Sequence, residues 1–502
     1  MRSKLGLASL LFIIASLFLK VSGLLRDMTV AFYFGDSFAA GAYFAAFTIP
    51  NMVILFLNTG MKNALVPTYI SALEKENGTY HLSQVMKGTL IVSFVFSLLG
   101  AVLAPFYIPL LYPNFSSDAT EISILVAIIF FASIVAVGMN SVLEAFFDAN
   151  NRFAISVVSQ IVVILSSILS AVLFADQIGI YSLAIGYAAG TVLSLLLKTL
   201  FFIDKGTYTL KGKFDWLEIK SFYIVFIPVA FTVMIGQINL TVDYIFAGRF
   251  EESVITYINN AKNLVHFPQA IIGVTIGTII FPLLSKAQST NNKELFKTGI
   301  QRGLSAMSLI LLPAVAGMMW LMPNIIELVY LRGEFSEAAA AATTAVAYFY
   351  VGSVLFFSLQ TVLNKGFYAM QKGHVILKIG AISILLNIVL NYILTETMNS
   401  YNGIPLASSL MAFIYFVVSY FIFTNLIGRS GQRKMLADLI KIIIAVAIMI
   451  GVLSLLRMSV STLPNIAEIM LSAVVGALVY LGAVFLLKVS TFTFLISAIR
   501  KR

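Results

Sequence analysis

The chain has 502 residues, 60% of them hydrophobic and only 11% charged, with 32 Lys and Arg against 22 Asp and Glu for a formal net charge of +10. Soluble proteins run at roughly 45–50% apolar and about 25% charged, so a chain of mean hydropathy +0.97 cannot cover its surface with polar groups and must face lipid. A set of soluble catalytic domains is excluded, and the absence of cysteine removes disulfides, thiolate metal sites and cysteine nucleophiles.

The first apolar run follows Met1-Arg2-Ser3-Lys4 and continues to Leu19, where Lys20 and Arg26 follow without a small-residue cleavage motif, so it reads as an uncleaved span. Apolar runs set apart by polar or Gly/Pro breaks give fourteen expected spans. The first six are 5–25, 37–62, 86–111, 121–147, 154–176 and 178–203. The next six are 219–248, 258–285, 298–330, 339–369, 375–396 and 403–428, and two more cover 434–457 and 465–490. The fold class this predicts is an all-α polytopic membrane protein.

An even number of spans puts both termini on one side, and basic residues say which. Ends and loops of one parity hold 25 of the 32 Lys and Arg, from Arg2 and Lys4 through the Lys198–Lys220 group to Arg500-Lys501-Arg502. The opposite parity holds Arg26, Arg249, Arg332 and Arg457. The positive-inside rule then places both termini in the cytoplasm of a plasma-membrane protein. The basic balance reflects topology and anionic lipid head groups, not nucleic acid.

The chain also matches itself. Ala145–Arg152 aligns with Lys365–Lys372 at an offset of 220, and Ile49-Pro50, Gly60, Pro67 and Ser71 align with Phe267-Pro268, Gly277, Pro282 and Ser285 from an offset of 218. Two pseudo-symmetric six-helix lobes follow, 1–203 and 219–430, joined by an amphipathic cytoplasmic linker at 204–218. Residues 431–502 add two further helices and a basic tail. Paired bundles of one topology suit alternating access, with a substrate cavity between them.

The residues Lys20-Val21-Ser22-Gly23-Leu24-Leu25-Arg26-Asp27, Phe34-Gly35, Ala45–Asn51, Gly60 and Val66-Pro67 form a first motif block. Phe267-Pro268, Gly273-Val274, Gly277-Thr278-Ile279 and Pro282–Lys286 form a second, and Arg332-Gly333-Glu334-Phe335 with Gly366–Ala369 a third. In this order the sequence resembles the MurJ (MviN) family, the lipid II flippases of the MATE-like exporter superfamily. The resemblance implies a cationic central cavity and transport of an undecaprenyl-pyrophosphate-linked saccharide between leaflets. Several family positions differ here: Lys20 stands for an arginine, Gly41 for an aspartate, Thr48 for a basic residue and Ile54 for an arginine. In helix 8, Asn263 and His266 stand for an arginine and a glutamate.

Charges inside spans cost about 2.5–3.5 kcal/mol or more, which makes each a functional candidate. Lys20, Arg26 and Lys262 are the candidate cations for a pyrophosphate, with Ser22-Gly23 expected to break or bend the first helix and turn Lys20 and Arg26 to one cavity. Interfacial snorkelling is the alternative for each of them, and Lys62 is assigned to it. Glu144 is read as interfacial. Asp243 with Asn387 and Asn391, the latter two at i,i+4, are a candidate cation site; the resemblance implies sodium bound by an aspartate and such a pair. Hydrogen bonding of the two asparagines between helices is the plain alternative.

No motif argues for an enzyme, so no cofactor is expected and the driving force is membrane potential, an ion gradient or removal of product. The expected partners are a lipid-linked saccharide, membrane lipids and cell-wall synthesis enzymes, and the expected state is a monomer. Two alternatives stand beside lipid II: another lipid-linked polysaccharide repeat unit, and export of cationic drugs by ion coupling.

Overall fold

The computed structural model describes residues 2–428, 432–460 and 463–493; Arg429 and the basic C-terminal tail lie outside them. Among the described residues the regular structure is helical. The helices are α1 (Arg2–Phe34), α2 (Phe38–Glu74), α3 (Gly78–Leu111), α4 (Ser117–Ala149), α5 (Phe153–Ile178), α6 (Tyr181–Leu197), α7 (Trp216–Ala247) and α8 (Glu252–Val265). They continue as α9 (Phe267–Ser289), α10 (Lys293–Trp320), α11 (Met322–Tyr330), α12 (Glu337–Ala369), α13 (Gly373–Met398), α14 (Gly403–Ile427), α15 (Gln432–Val460) and α16 (Asn465–Leu486). A short π-helical turn, Lys198–Phe202, extends α6. Eleven helices among the described residues are long and apolar enough to cross a bilayer; the first, seventh and eighth of the fourteen expected spans are not among these.

Two expected spans are each interrupted. The eighth divides into α8 and α9 at His266, and the ninth into α10 and α11 at Leu321. In both cases a proline, Pro268 or Pro323, follows within two residues and sits at the start of the new helix. There its missing N–H is not needed, and its ring obstructs continuation from the preceding turn.

The internal duplication is written in the backbone. α4 and α12 are both 33 residues long, α5 and α13 both 26, and each pair starts 220 residues apart. Ser116 and Ser336, also 220 apart, cap α4 and α12 by accepting from the amides of Ala119 and Ala339. α2, α4, α9 and α12 all end in the same Schellman turn. Its left-handed residue is Glu76, Asn151, Asn291 or Gln371, with φ of 56°, 58°, 51° and 58°. The next amide donates five residues back in each: Asn77 to Ala72, Arg152 to Phe147, Asn292 to Ala287 and Lys372 to Phe367, at 2.8–2.9 Å.

The chain folds as two compact units, Met1–Thr256 with Gly333–Phe335, and Tyr257–Arg332 with Ser336–Arg502. In the first, α2 is the central helix, packed against α4 and α7. Its core gathers Phe56, Leu57, Met61, Leu143, Phe147, Phe222 and Phe226. Gly333 and Glu334 belong to this unit because the Glu334 amide donates to Phe32 O at 3.0 Å, at the end of α1. Gly35 and Gly333 let these backbones meet: both have positive φ, and a Cβ on either would strike the opposing carbonyl. The second unit centres on Leu284, Phe296, Leu363, Phe367 and Phe423, with a smaller core where α15 and α16 pack.

Candidate functional site

α1 runs unbroken through Ser22 and Gly23, which corrects the expected break. The Ser22 hydroxyl donates to Phe18 O at 2.8 Å, using the second lone pair of a carbonyl four residues back while the helix continues. Six residues along a straight helix turn through about 240°, so Lys20 and Arg26 point from different faces, and Lys20 is exposed. Arg26 is the more enclosed, its side chain 21% exposed. Its Nη2 and Nε donate to Asp27 Oδ1 at 2.8 and 3.2 Å, and the guanidinium lies 6.0 Å from the Phe47 ring centroid. Asp27 is buried. Tyr244 on α7 is within electrostatic reach of Arg26, Asp27 and Asp243, and Asp243 is itself fully buried. The immediate surroundings of Arg26 are therefore mixed in charge, its guanidinium facing the buried Asp27 carboxylate.

In the second unit, Lys262 on α8 sits 5.5 Å from the Tyr350 ring centroid. His266, at the α8–α9 break, is held at both ring nitrogens: Nδ1 is 2.7 Å from Gln269 Oε1 and Nε2 is 3.1 Å from Ser353 Oγ. Asn263 donates to Asn259 Oδ1 at 3.2 Å. Asn387 and Asn391 on α13 are fully buried. They bond within one helix, not between helices, Asn391 Nδ2 donating to Asn387 Oδ1 at 3.1 Å. Asn391 Oδ1 and Asn387 Nδ2 have no hydrogen-bond partner among the described residues. Asp243 belongs to the other compact unit.

The positions that depart from the family pattern have physical reasons. Gly41 faces the Glu252 backbone so closely that an added Cβ would overlap the carbonyl. Glu252 is fixed there because its Oε1 accepts from the amide and hydroxyl of Ser116, both at 2.9 Å. Thr48 is buried, donating to Phe44 O at 3.1 Å and accepting from Tyr112 Oη at 3.4 Å. Ile54 is part of the core. Gly41→Asp should therefore cut the amount of folded protein in membranes, since overpacking costs typically about 1–3 kcal/mol. Quantitative immunoblotting of membrane fractions checks this, and wild-type abundance would overturn the close-packing account.

A buried charge cluster went unread in the sequence. Glu144, only 3% exposed, accepts from Lys198 Nζ at 3.0 Å, Ser159 Oγ at 3.1 Å and Gln160 Nε2 at 2.7 Å. Lys62 Nζ lies 3.3 Å from Glu144 Oε2 and 3.4 Å from Asp148 Oδ2. Lys62 is thus ion-paired and Glu144 is buried within the first unit. Lys198, fully buried at the start of the π turn, also donates to Asn140 Oδ1 at 2.8 Å. The cluster joins α2, α4, α5 and α6 within the first unit. Asn140, Glu144 and Asp148 recur every fourth residue on one face of α4, and that spacing was the available signal.

The linker is irregular from 204 to 215 and docked on the start of α3. Lys87 Nζ donates to the carbonyls of Lys211, Gly212 and Lys213 at 3.1, 3.4 and 3.1 Å. Tyr80 Oη donates to Asp215 Oδ2 at 2.6 Å. That bond, with the amides of Glu218 and Leu217, holds the Asp215 carboxyl below its usual range. Trp216 and Leu217 remain exposed.

With this geometry in hand, comparison with known proteins is direct. The sequence model of the family described as "Lipid II flippase MurJ" matches residues 30–476. A probable lipid II flippase MurJ of Vibrio cholerae is 28% identical over 421 residues, 80% of this chain and 79% of that protein. A probable lipid II flippase MurJ of Thermotoga maritima is 24% identical over 96% of both. Among solved structures, a lipid II flippase MurJ in an inward closed conformation superposes with a TM-score of 0.81 at 23% identity, covering 94% of this chain and 98% of that one. An inward-facing MATE multidrug transporter gives a TM-score of 0.69 at 15% identity over 82% and 96%, a likeness of fold. The two-lobed helical architecture and the match over residues 30–476 place the chain in the MurJ family, whose members are multi-pass membrane transporters rather than enzymes.

Proposed function

We propose that this chain moves lipid II, an undecaprenyl-pyrophosphate-linked cell-wall precursor, from the inner to the outer leaflet by alternating access. Both termini lie in the cytoplasm and the transport serves peptidoglycan synthesis. The observation that carries the reading is Arg26. Its guanidinium is half-buried in an apolar helix and commits two N–H groups to Asp27, leaving three of its five donors for another anion. A pyrophosphate is the ligand that such a fork recognises in a partly desolvated pocket. The membrane potential assists in this reading, with Lys20 and Lys262 as separate, weaker candidate cations.

A second reading, transport of another lipid-linked saccharide, is favoured by Gly41, Thr48 and Ile54, which supply no charge where the family pattern has it. Coupling to sodium fits one observation: the buried Asn391 Oδ1 lacks a donor, and neutral oxygen ligands suit a hard cation. Expression in cells depleted of their own lipid II flippase separates these readings. Rescue of growth, with outward accessibility of the precursor restored, is expected for lipid II. Absence of rescue at normal membrane abundance would move the assignment to another saccharide. Replacing sodium by choline in the same accessibility assay should slow transport, and unchanged transport would remove sodium from the reading.

A further inference from the structure

α13 and α14 are the last two helices of the duplicated twelve, and a cavity of about 340 Å³ runs between them. This one cavity carries both polarities. His374 and Lys378 stand at its end nearest the start of α13, and Ile382, Leu386, Ile414 and Val418 are among the apolar residues that line the rest. His374 is the second residue of α13 and Lys378 follows at i+4, so both lie on one face of its first turns. The basic loops assign this end to the cytoplasm. Both side chains are exposed, and among the described residues neither has a hydrogen-bond or ion-pair partner.

The lining on α13 runs from His374 to Leu386, about 18 Å of helix at 1.5 Å per residue. Half of a bilayer's hydrocarbon core is about 15 Å, so the groove has the length of one leaflet with its polar end at the surface. Ile382, near its middle, is 66% exposed, which leaves the groove open sideways to acyl chains. The first copy is built differently. Ala154 and Val158 stand 220 residues before His374 and Lys378, and α6 closes on α5 through Gly186 and Gly190. A Cβ at these glycines would lie 2.4 Å from Ser170 Cβ and 2.8 Å from Ser166 Cβ. In the second copy the gap and the two donors occur together.

We propose that Lys378 and His374 hold the phosphate-bearing head group of an anionic phospholipid of the cytoplasmic leaflet, with one acyl chain in the α13–α14 groove. Basic residues on the cytoplasmic side of membrane helices suit such head groups. The Lys378 ammonium supplies a point charge, and the His374 ring has an N–H to donate in either protonation state. The site is separate from Arg26 and does not depend on the transport reading.

The full chain in nanodiscs, with trace phosphatidylglycerol or phosphatidylcholine carrying a photoreactive group midway along one acyl chain, tests this. Peptide mapping of the wild type should place phosphatidylglycerol on α13 and α14 at least about tenfold more often than phosphatidylcholine. Charge-assisted hydrogen bonds are each worth about that factor. His374→Ala/Lys378→Ala should lose the preference, and Lys378→Arg should keep most of it. Ile382→Trp, which fills the groove and leaves both donors, should remove the label from these helices. Equal labelling of the wild type by the two lipids would overturn the proposal, whatever the variants do. So would an unchanged preference in a monodisperse alanine variant. Displacement of the label by low-millimolar inorganic phosphate would identify a soluble anion site instead. A photoreactive residue placed at position 382 in native membranes should yield a lipid adduct, and a protein adduct there would give the groove to a partner helix and overturn the lipid assignment.

Discussion

Arg26→Lys should leave the amount of protein in the membrane at the wild-type level and lower precursor flipping at least about tenfold. The ammonium keeps Asp27 neutralised, so the buried carboxylate does not become an uncompensated charge. It loses the planar fork, and the loss of one charge-assisted hydrogen bond costs roughly 1.5–3 kcal/mol, a factor of about ten or more in affinity. Arg26→Ala should abolish transport and also reduce abundance, since it removes the guanidinium that pairs with the buried Asp27. Arg26→Ala with Asp27→Ala removes both charges and should restore abundance without restoring flipping. A whole-cell assay of outward precursor accessibility, paired with immunoblots, separates these outcomes. Near-normal flipping by Arg26→Gln would show that the guanidinium merely lines the helix surface and would sink its role in substrate binding.

The second large effect concerns stability. Glu144→Leu should leave Lys198 fully buried with Asn140 as its one remaining side-chain acceptor. Breaking a buried ion pair from one side costs about 3–5 kcal/mol. Thermal unfolding in detergent, followed by fluorescence-detected size exclusion, should show a clearly lowered midpoint and reduced expression. Glu144→Gln/Lys198→Met should recover most of the loss, because no charge is then left buried, whereas Lys62, a quarter exposed, can turn to water. A Glu144→Leu protein as stable as wild type would mean the cluster does not hold α4 to α6.

Sequence patterning delivered the helices because a lipid-facing span needs a long apolar run with its backbone bonds satisfied internally, and both are properties of a local window. It was less able to find interruptions. Pro268 and Pro323 mark the two divided spans, yet Pro50, Pro67, Pro105, Pro109 and Pro228 sit inside continuous helices. A proline inside a continuous helix also releases a carbonyl, so whether the span breaks there depends on surrounding packing, which is not a local property. Charges show the same limit. Arg26 was legible as a candidate because it stands alone in an apolar run. Lys62, Glu144 and Lys198 lie on three helices, and their mutual neutralisation depends on how α2, α4 and α6 assemble. Gly41 was visible as a missing aspartate, but the Glu252 carbonyl that forbids a side chain there lies more than two hundred residues away.

The Schellman turns that end α2, α4, α9 and α12 carry a different kind of record. Glu76, Asn151, Asn291 and Gln371 share almost one φ value although three residue types occupy the position and none is glycine, the usual occupant. A left-handed non-glycine residue is disfavoured by about 1–2 kcal/mol, so each turn persists because the helices on either side dictate it. The geometry of a corner can therefore outlive the identity of the residue that makes it. The duplication in this chain is more faithfully kept in matched helix lengths and cap positions than in its letters.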